Sequence, residues 1–288
     1  MESFAVFADG TANLPRRFLS GIRLIPMEYT IDGTTHRYLG DIELFNGKSY
    51  YEDLRQGKMV KTSLVNTQAF ISAFTPVIEA GIDLIYVSMS SAISGTYQAA
   101  MIAAKKLMGL YPGSFIHIVD SRGCGFGGGL LAIRAAELSQ RGVGVRESSK
   151  ILDAEVPHVC QYFTVDDLNF LKRTGRVSGM TAKIATILGI KPILFGTADG
   201  HIVACEKVRG RKHSIDAIVR KYAEKRENIN YQQVFISHGD CLEDAEELAA
   251  KVKKITPNYT VTICQHEPVS GAHVGPGMLA LFFHGKER

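Results

Sequence analysis

No Cys-x-x-Cys pair occurs among the 288 residues, and the five cysteines (Cys124, Cys160, Cys205, Cys241, Cys264) are odd in number and far apart. That usage argues against a disulfide framework and against a cysteine-based zinc site, and reduced thiols in a cytoplasmic protein are expected. A charge excess is also missing: Lys plus Arg is 33 against 29 for Asp plus Glu, a net +4. So small and evenly spread a balance calls for neither nucleic acid nor an anionic membrane as partner. Internal repeats, low-complexity segments and a Pro/Gly/Ser-rich linker are absent. Met1-Glu2-Ser3-Phe4 has no basic or apolar leader character, so no secretory signal is expected. What remains is an ordinary globular composition, 45% apolar and 22% charged. At ~100–200 residues per domain the length fits two domains or one large one.

Leu84 to Ala104 is uncharged and long enough to cross a bilayer. Its middle, however, holds Ser88, Ser90, Ser91, Ser94, Thr96 and Gln98, which hydrocarbon would leave without partners. The segment reads as a buried strand, a hydroxyl-rich loop and a helix, and no transmembrane segment is expected.

Phe4–Ala8, Leu84–Ser88 and Ser114–Val119 are short apolar runs that read as strands buried on both faces. Helical patterns separate them. Phe70, Ile71, Phe74, Val77 and Ile78 share one face, with Thr67 as N-cap and Pro76 as a potential kink. Tyr97, Ala100, Met101, Ala104 and Leu107 form a second stripe, and a third helix is expected from Leu130 to about Arg141, after the glycines at 125–129. Strand alternating with helix predicts a parallel sheet covered on both faces. Ile31-Asp-Gly-Thr34 predicts a hairpin.

The second half is mixed. Helices are expected near Asp166–Arg173 and Thr181–Leu188, then a strand, turn and strand over 192–208, and a helix bearing Ile215, Ile218, Val219 and Tyr222. Val234–Ser237 reads as a strand, Asp240-x-x-Glu243 as a capping box opening the next helix, and 260–264 and 279–284 as closing strands. The fold class is therefore α/β, with a parallel α/β domain at 1–156 and a mixed α+β domain at 157–288.

Ser88 to Thr96 lies after a buried strand and before a helix, where open α/β sheets bind ligands. Free N–H groups at a helix start, with hydroxyls, make an anion site without formal charge; a serine-rich N-cap is the alternative. Gly-x-Ser-x-Gly is absent around Ser94, and no base is placed near it by sequence. Lys61-Thr62-Ser63 is a second hydroxyl pair. Gly271-Ala-His273-Val-Gly-Pro-Gly277 holds one histidine in a constrained backbone, where it can donate to an anion or simply satisfy a turn. Lys172-Arg173-Thr-Gly-Arg176 and Lys207-Val-Arg209-Gly-Arg211-Lys212 are compact basic loops, either solvated surface or docking and phosphate sites. His238-Gly-Asp240 has no second cluster at ligand spacing, so no metal is expected. Gly123–Gly129 lacks the Gly-Lys-Ser/Thr of a phosphate loop.

Taken in order, Phe7–Pro15, Lys61–Ser63, Ser90–Tyr97, Val119–Arg122, Tyr162–Arg173, Leu188–Leu194, His238–Asp240 and His273–Gly277 resemble the DegV family over essentially the whole chain. The resemblance implies a two-domain carrier that holds one long-chain fatty acid (C14–C18) in an interior tunnel between its domains. It also implies that the carboxyl group is presented to a separate ATP-dependent, FakA-like fatty-acid kinase for acyl-phosphate formation in phospholipid metabolism. On this resemblance Thr62, Ser94, the amide of Gly95 and His273 bind the carboxylate, and Arg173 serves phosphotransfer or kinase docking. Arg209 and Arg211 are further docking candidates. Neither cofactor nor metal is implied, and the chain itself is not an enzyme. The rival reading is an esterase or acyltransferase that uses Ser94 with His273.

Overall fold

The computed structural model describes residues 3–177, 189–227 and 233–288. The chain forms two compact units, Met1–Leu44 with Lys61–Val156, and Phe45–Val60 with Pro157–Arg288. The first unit is thus not the continuous 1–156 stretch read from the sequence, because residues 45–60 pack with the second. The helix expected over 181–188 lies outside the described residues.

In chain order the first unit contains β1 (Ala5–Asp9), β2 (Ile22–Ile25), β3 (Met27–Ile31) and β4 (Thr34–Tyr38). Helix α1 (Gly47–Arg55) belongs to the second unit. There follow β5 (Val60–Ser63), α2 (Thr67–Glu79), β6 (Leu84–Ser88), α3 (Thr96–Leu110), β7 (Ile116–Asp120), α4 (Phe126–Gln140) and α5 (Val145–Glu155). Four strands make a parallel sheet in the order β2-β1-β6-β7. The chain leaves β1 toward β2 on one side and returns at β6 on the other, so the strand order reverses between β1 and β6. Phe7, Phe70, Phe74 and Tyr86 interlock beside the sheet, with Phe7–Phe74 centroids 5.1 Å apart and Phe70–Tyr86 4.9 Å. The Asp32-Gly33 turn joins β3 to β4 with both residues left-handed, at φ 48° and 81°, as a two-residue hairpin turn requires.

Three local expectations are corrected. Asn66, not Thr67, caps α2, its side chain accepting from the Ala69 N–H at 2.9 Å, and the helix runs through Pro76 to Glu79. Helix α4 starts at Phe126, inside the glycine run, directly after Gly125 at φ 58°, and Gly129 lies within it because a Cβ there would come 2.5 Å from the Ala12 carbonyl oxygen. The capping box at Asp240 does not form. Asp240 is left-handed at φ 58°, and the next helix begins at Leu242 with no side-chain cap.

The second unit continues with β8 (Val159–Thr164), α6 (Asn169–Thr174), β9 (Ile190–Gly196), β10 (Ile202–Arg209) and α7 (Arg211–Lys225). It ends with β11 (Gln233–His238), α8 (Leu242–Ile255), β12 (Thr260–Gln265), α9 (Pro268–Val274) and β13 (Leu279–His284). A six-stranded mixed sheet runs β10-β9-β8-β13-β11-β12, with β11 and β12 parallel and the remaining pairs antiparallel. Helices α7 and α8 cover it through Ile215, Ile218, Tyr222, Leu248 and Val252, and Tyr222 meets Phe283 edge-on at 4.9 Å. No described helix is long and apolar enough to cross a membrane.

Candidate functional site

In the first unit three neighbouring strands end in polar residues: Asp9 on β1, Ser88 on β6 and Asp120 on β7. The loop of residues 89–95 crosses this edge. Asp9 accepts from the Met89 N–H at 2.5 Å and from the Tyr86 hydroxyl. Asp120 accepts from the Ser91 N–H at 3.1 Å and the Ser91 hydroxyl at 2.6 Å, while the Ser90 N–H donates to the Gly123 carbonyl at 2.8 Å. The turn closes with the Ser94 N–H on the Ser90 carbonyl at 3.2 Å.

The half-buried Ser94 hydroxyl donates to the Thr96 hydroxyl at 3.0 Å and accepts from the Thr96 N–H at 3.2 Å. Neither partner is a base. Gly95 is the N-cap of α3, has no side chain to cap it, and is followed by a first turn with no acidic residue. The Thr96 N–H is met by Ser94, and with no acidic residue in its first turn the fifteen-residue helix directs the positive end of its dipole at this loop. The exit of β5 is fastened here. Thr96 accepts from the Val65 N–H at 3.3 Å, and a Cβ on Gly95 would come 3.1 Å from Leu64. Thr62, half-buried on β5, is thereby placed on the segment that abuts Ser94 and Gly95. Three of the residues expected to hold a carboxylate thus come from adjoining segments of one unit.

The fourth, His273, belongs to the second unit, near the end of the short helix α9. Glu267, fully buried, caps that helix by accepting from the Val269 N–H at 2.6 Å and the Ser270 N–H at 2.8 Å. Buried His266 bridges Ser237 at 3.0 Å and Ser270 at 2.7 Å. From α1, Tyr50 donates to the Pro268 carbonyl at 2.6 Å and Tyr51 to that of His266 at 2.9 Å. Burial, with Arg176 and Arg173 nearby, pushes His273 down to about 4. At neutral pH its ring is therefore an uncharged imidazole with a single N–H to donate.

Arg173 is exposed and stacks its guanidinium 5.0 Å from the Phe170 centroid. It lines a cleft of about 460 Å³ within the second unit, together with Arg55, Lys58, Asp166 and Phe170. Arg209 is exposed at the end of β10. Arg211 differs: it is one-fifth exposed and engaged with Asp244 at 2.9 Å and Asp166 at 3.7 Å. Among the described residues no group of three or more His, Cys, Asp or Glu is placed to hold a metal ion. All five cysteines are free thiols.

Sequence reading missed Asp9 and Asp120 as parts of this site. The available signal was an aspartate closing each of two apolar strands, but which backbone they would grip depends on strand order.

A family model described as "Uncharacterised protein, DegV family" matches residues 3–286. A DegV domain-containing protein of Clostridium perfringens is 37% identical over 287 residues, covering 99% of this chain and 98% of its own. The crystal structure of DegV from Bacillus subtilis, described as a fatty acid binding protein, superposes with TM-score 0.84 at 26% identity, covering 99% of this chain and all of its own. The DegV family protein SAG1342 from Streptococcus agalactiae, described as fatty acid binding, superposes with TM-score 0.87 at 23% identity over the full length of both. With a family match from residue 3 to residue 286 and the same fold throughout, the chain belongs to the DegV family.

Proposed function

We propose that this chain is a cytoplasmic fatty-acid carrier that binds one long-chain acid of C14–C18 and presents its carboxyl group to a separate ATP-dependent fatty-acid kinase. The observation that carries the reading is the hydroxyl-rich turn at the start of α3, where Ser94 and Gly95 stand beside the Thr62 segment. Thr62, Ser94, the Gly95 N–H and the neutral His273 ring are the donors assigned to the carboxyl group. The fatty-acid-binding description of the Bacillus subtilis relative supports the ligand class.

Burying ~15 methylenes is worth roughly 12 kcal/mol at about 0.8 each, before ordering costs. The apolar chain therefore supplies affinity, and the head site has only to satisfy the carboxylate with neutral donors. In the kinase step a carboxylate oxygen would bond the γ-phosphorus of ATP as ADP leaves, giving the acyl phosphate. That product is the activated form of an exogenous fatty acid entering phospholipid synthesis. Exposed Arg173 and Arg209 are the docking or phosphate-facing candidates on this chain; Arg211, held by two aspartates, is the weakest of the three.

Mass spectrometry of organic extracts from undenatured protein tests the reading. A near-stoichiometric C14–C18 acid is expected, and an empty protein that also fails to take up oleate overturns it. The Ser94/His273 esterase reading requires an activated serine, so a fluorophosphonate probe is expected to leave the protein unlabelled.

A further inference from the structure

Two carboxylates with no role in the reading above grip the loop that carries Ser94. Strands β1 and β7 flank β6 on either side, and each ends in an aspartate. Asp9 takes the Met89 N–H and Asp120 takes both the N–H and the hydroxyl of Ser91, while the Ser90 N–H lies on the Gly123 carbonyl. Three consecutive residues are thus anchored by their backbone, from both sides. The Ser94 N–H bonds back to Ser90, so the position of the Ser94 hydroxyl follows from these anchors.

We propose that Asp9 and Asp120 are positioning residues for the Ser94 hydroxyl, and that ionised Asp9 maintains the fatty-acid-retaining form of the loop. This rests on the fatty-acid reading. A carboxylate accepts a charge-assisted bond at each oxygen; a protonated carboxyl keeps one good acceptor and turns the other oxygen into a donor. Protonating Asp9 therefore weakens either the Met89 or the Tyr86 contact. Burial raises Asp9 to about 6, opposed by the hydrogen bonds from Tyr86 and Met89. Among the described residues, the titratable groups placed against it are the Tyr86 phenol on β6 and the Cys124 thiol before α4. Ile25 on β2 and Gly128 on α4 bring none.

The test follows cis-parinaric acid dissociation from the full-length protein between pH 7.5 and 5.0, with circular dichroism as a folding control. Binding by the unaltered protein at pH 7.5 is the separate check on the fatty-acid reading, and its absence would sink that reading rather than this one. The unaltered protein should release the ligand about tenfold faster at pH 5.0, with a midpoint near 6. Asp9→Asn should be fast at every pH and flat within about twofold, whereas Asp120→Asn should be about tenfold faster throughout but keep the midpoint. Should Asp9→Asn fail to fold, Tyr86→Phe retains the carboxylate, removes one donor and must move the midpoint upward. Ionisation of the ligand is common to all variants. The inference is overturned by an Asp9→Asn protein with the unaltered profile, by an unchanged rate in Asp120→Asn, by an unmoved midpoint in Tyr86→Phe, or by retention that strengthens as pH falls.

Discussion

Tyr51 donates its buried hydroxyl to the backbone carbonyl of His266 at 2.9 Å, a bond between residues 215 apart in sequence. Together with Tyr50 on Pro268, it ties α1 to the backbone that opens α9, the helix bearing His273. The ring leaves so little room that a Cβ on Gly271 would approach its hydroxyl to 2.7 Å. Residues 45–60 are thus a structural part of the second unit. Tyr51→Phe keeps the ring but strands a buried carbonyl, which should cost about 1–2 kcal/mol. Urea unfolding checks this, and a change below a few tenths of a kcal/mol would show the bond to be dispensable.

Glu267 is the stronger fastening of the same helix. Its two oxygens accept backbone N–H bonds from Val269 and Ser270, and the Ser270 hydroxyl bonds it as well. Glu267→Ala leaves those buried donors unmet, and a loss of about 3 kcal/mol is expected from charge-assisted bonds of this kind. Since His273 rides on α9, co-purified fatty acid should fall as well. Thermal unfolding and lipid extraction read the two effects separately.

Strands β1 and β6 were legible because they are nearly continuous apolar runs, and Asp32-Gly33 states its own turn, whereas β2, interrupted by Arg23, was not read. The hydroxyl-rich turn at Ser94 was visible as a strand-to-helix junction, whereas Thr62 carried no such signal and was singled out by resemblance alone. The destination of α1 was not legible. Tyr50, Tyr51 and Leu54 form a stripe that any neighbouring surface could bury, and only the distant carbonyls at 266 and 268 decide which. Asp240 misled for a similar reason. Its spacing to Glu243 favours a cap, but Arg55 on α1 reaches it at 2.5 Å and the left-handed backbone turns it away from the helix. Local pattern states what a residue can do; a partner two hundred residues away selects among the options.

A double substitution examines the proposed head site. Ser94→Ala with His273→Ala removes two of the donors assigned to the carboxyl group while leaving the apolar contacts intact. At about 1 kcal/mol or more per bond, retention should weaken by at least tenfold. Comparing bound lipid per mole of protein after identical purification checks it. Unchanged content would place the carboxyl group elsewhere.

Acid should destabilise the second unit in a defined window. Burial lowers His266 to about 3 and His273 to about 4, and moves His238 in the same direction. Each folded value lies below the unfolded one near 6.5, so each contribution is complete above that pH and is lost as pH falls toward the folded value. Asp9, raised to about 6, runs oppositely: its contribution is present at low pH and lost as pH rises through 6. Between pH 6.5 and 5 a buried histidine removes up to ~2 kcal/mol from the second unit, whereas the opposite change at Asp9, about 1 kcal/mol, falls on the first unit. Urea midpoints for the second unit should therefore descend from pH 7 to 5. A level profile would mean that these imidazoles charge without leaving the fold.

The basic residues separate by the same kind of argument. Arg173 is exposed, with its guanidinium laid on Phe170, so Arg173→Ala should change stability by less than ~0.5 kcal/mol and leave fatty-acid content intact. Arg211, gripped by Asp244 and Asp166 at one-fifth exposure, is a fastening between the start of α7 and α8. Arg211→Ala should lower stability by about 1–2 kcal/mol, since it leaves a partly buried carboxylate without its partner. If Arg173 faces a kinase, its substitution alone should cut acyl-phosphate formation tenfold or more when a fatty-acid kinase and ATP are supplied. Equal losses of kinase-coupled activity in both variants, each still folded and loaded with fatty acid, would show that positive charge in general, rather than Arg173, guides the encounter.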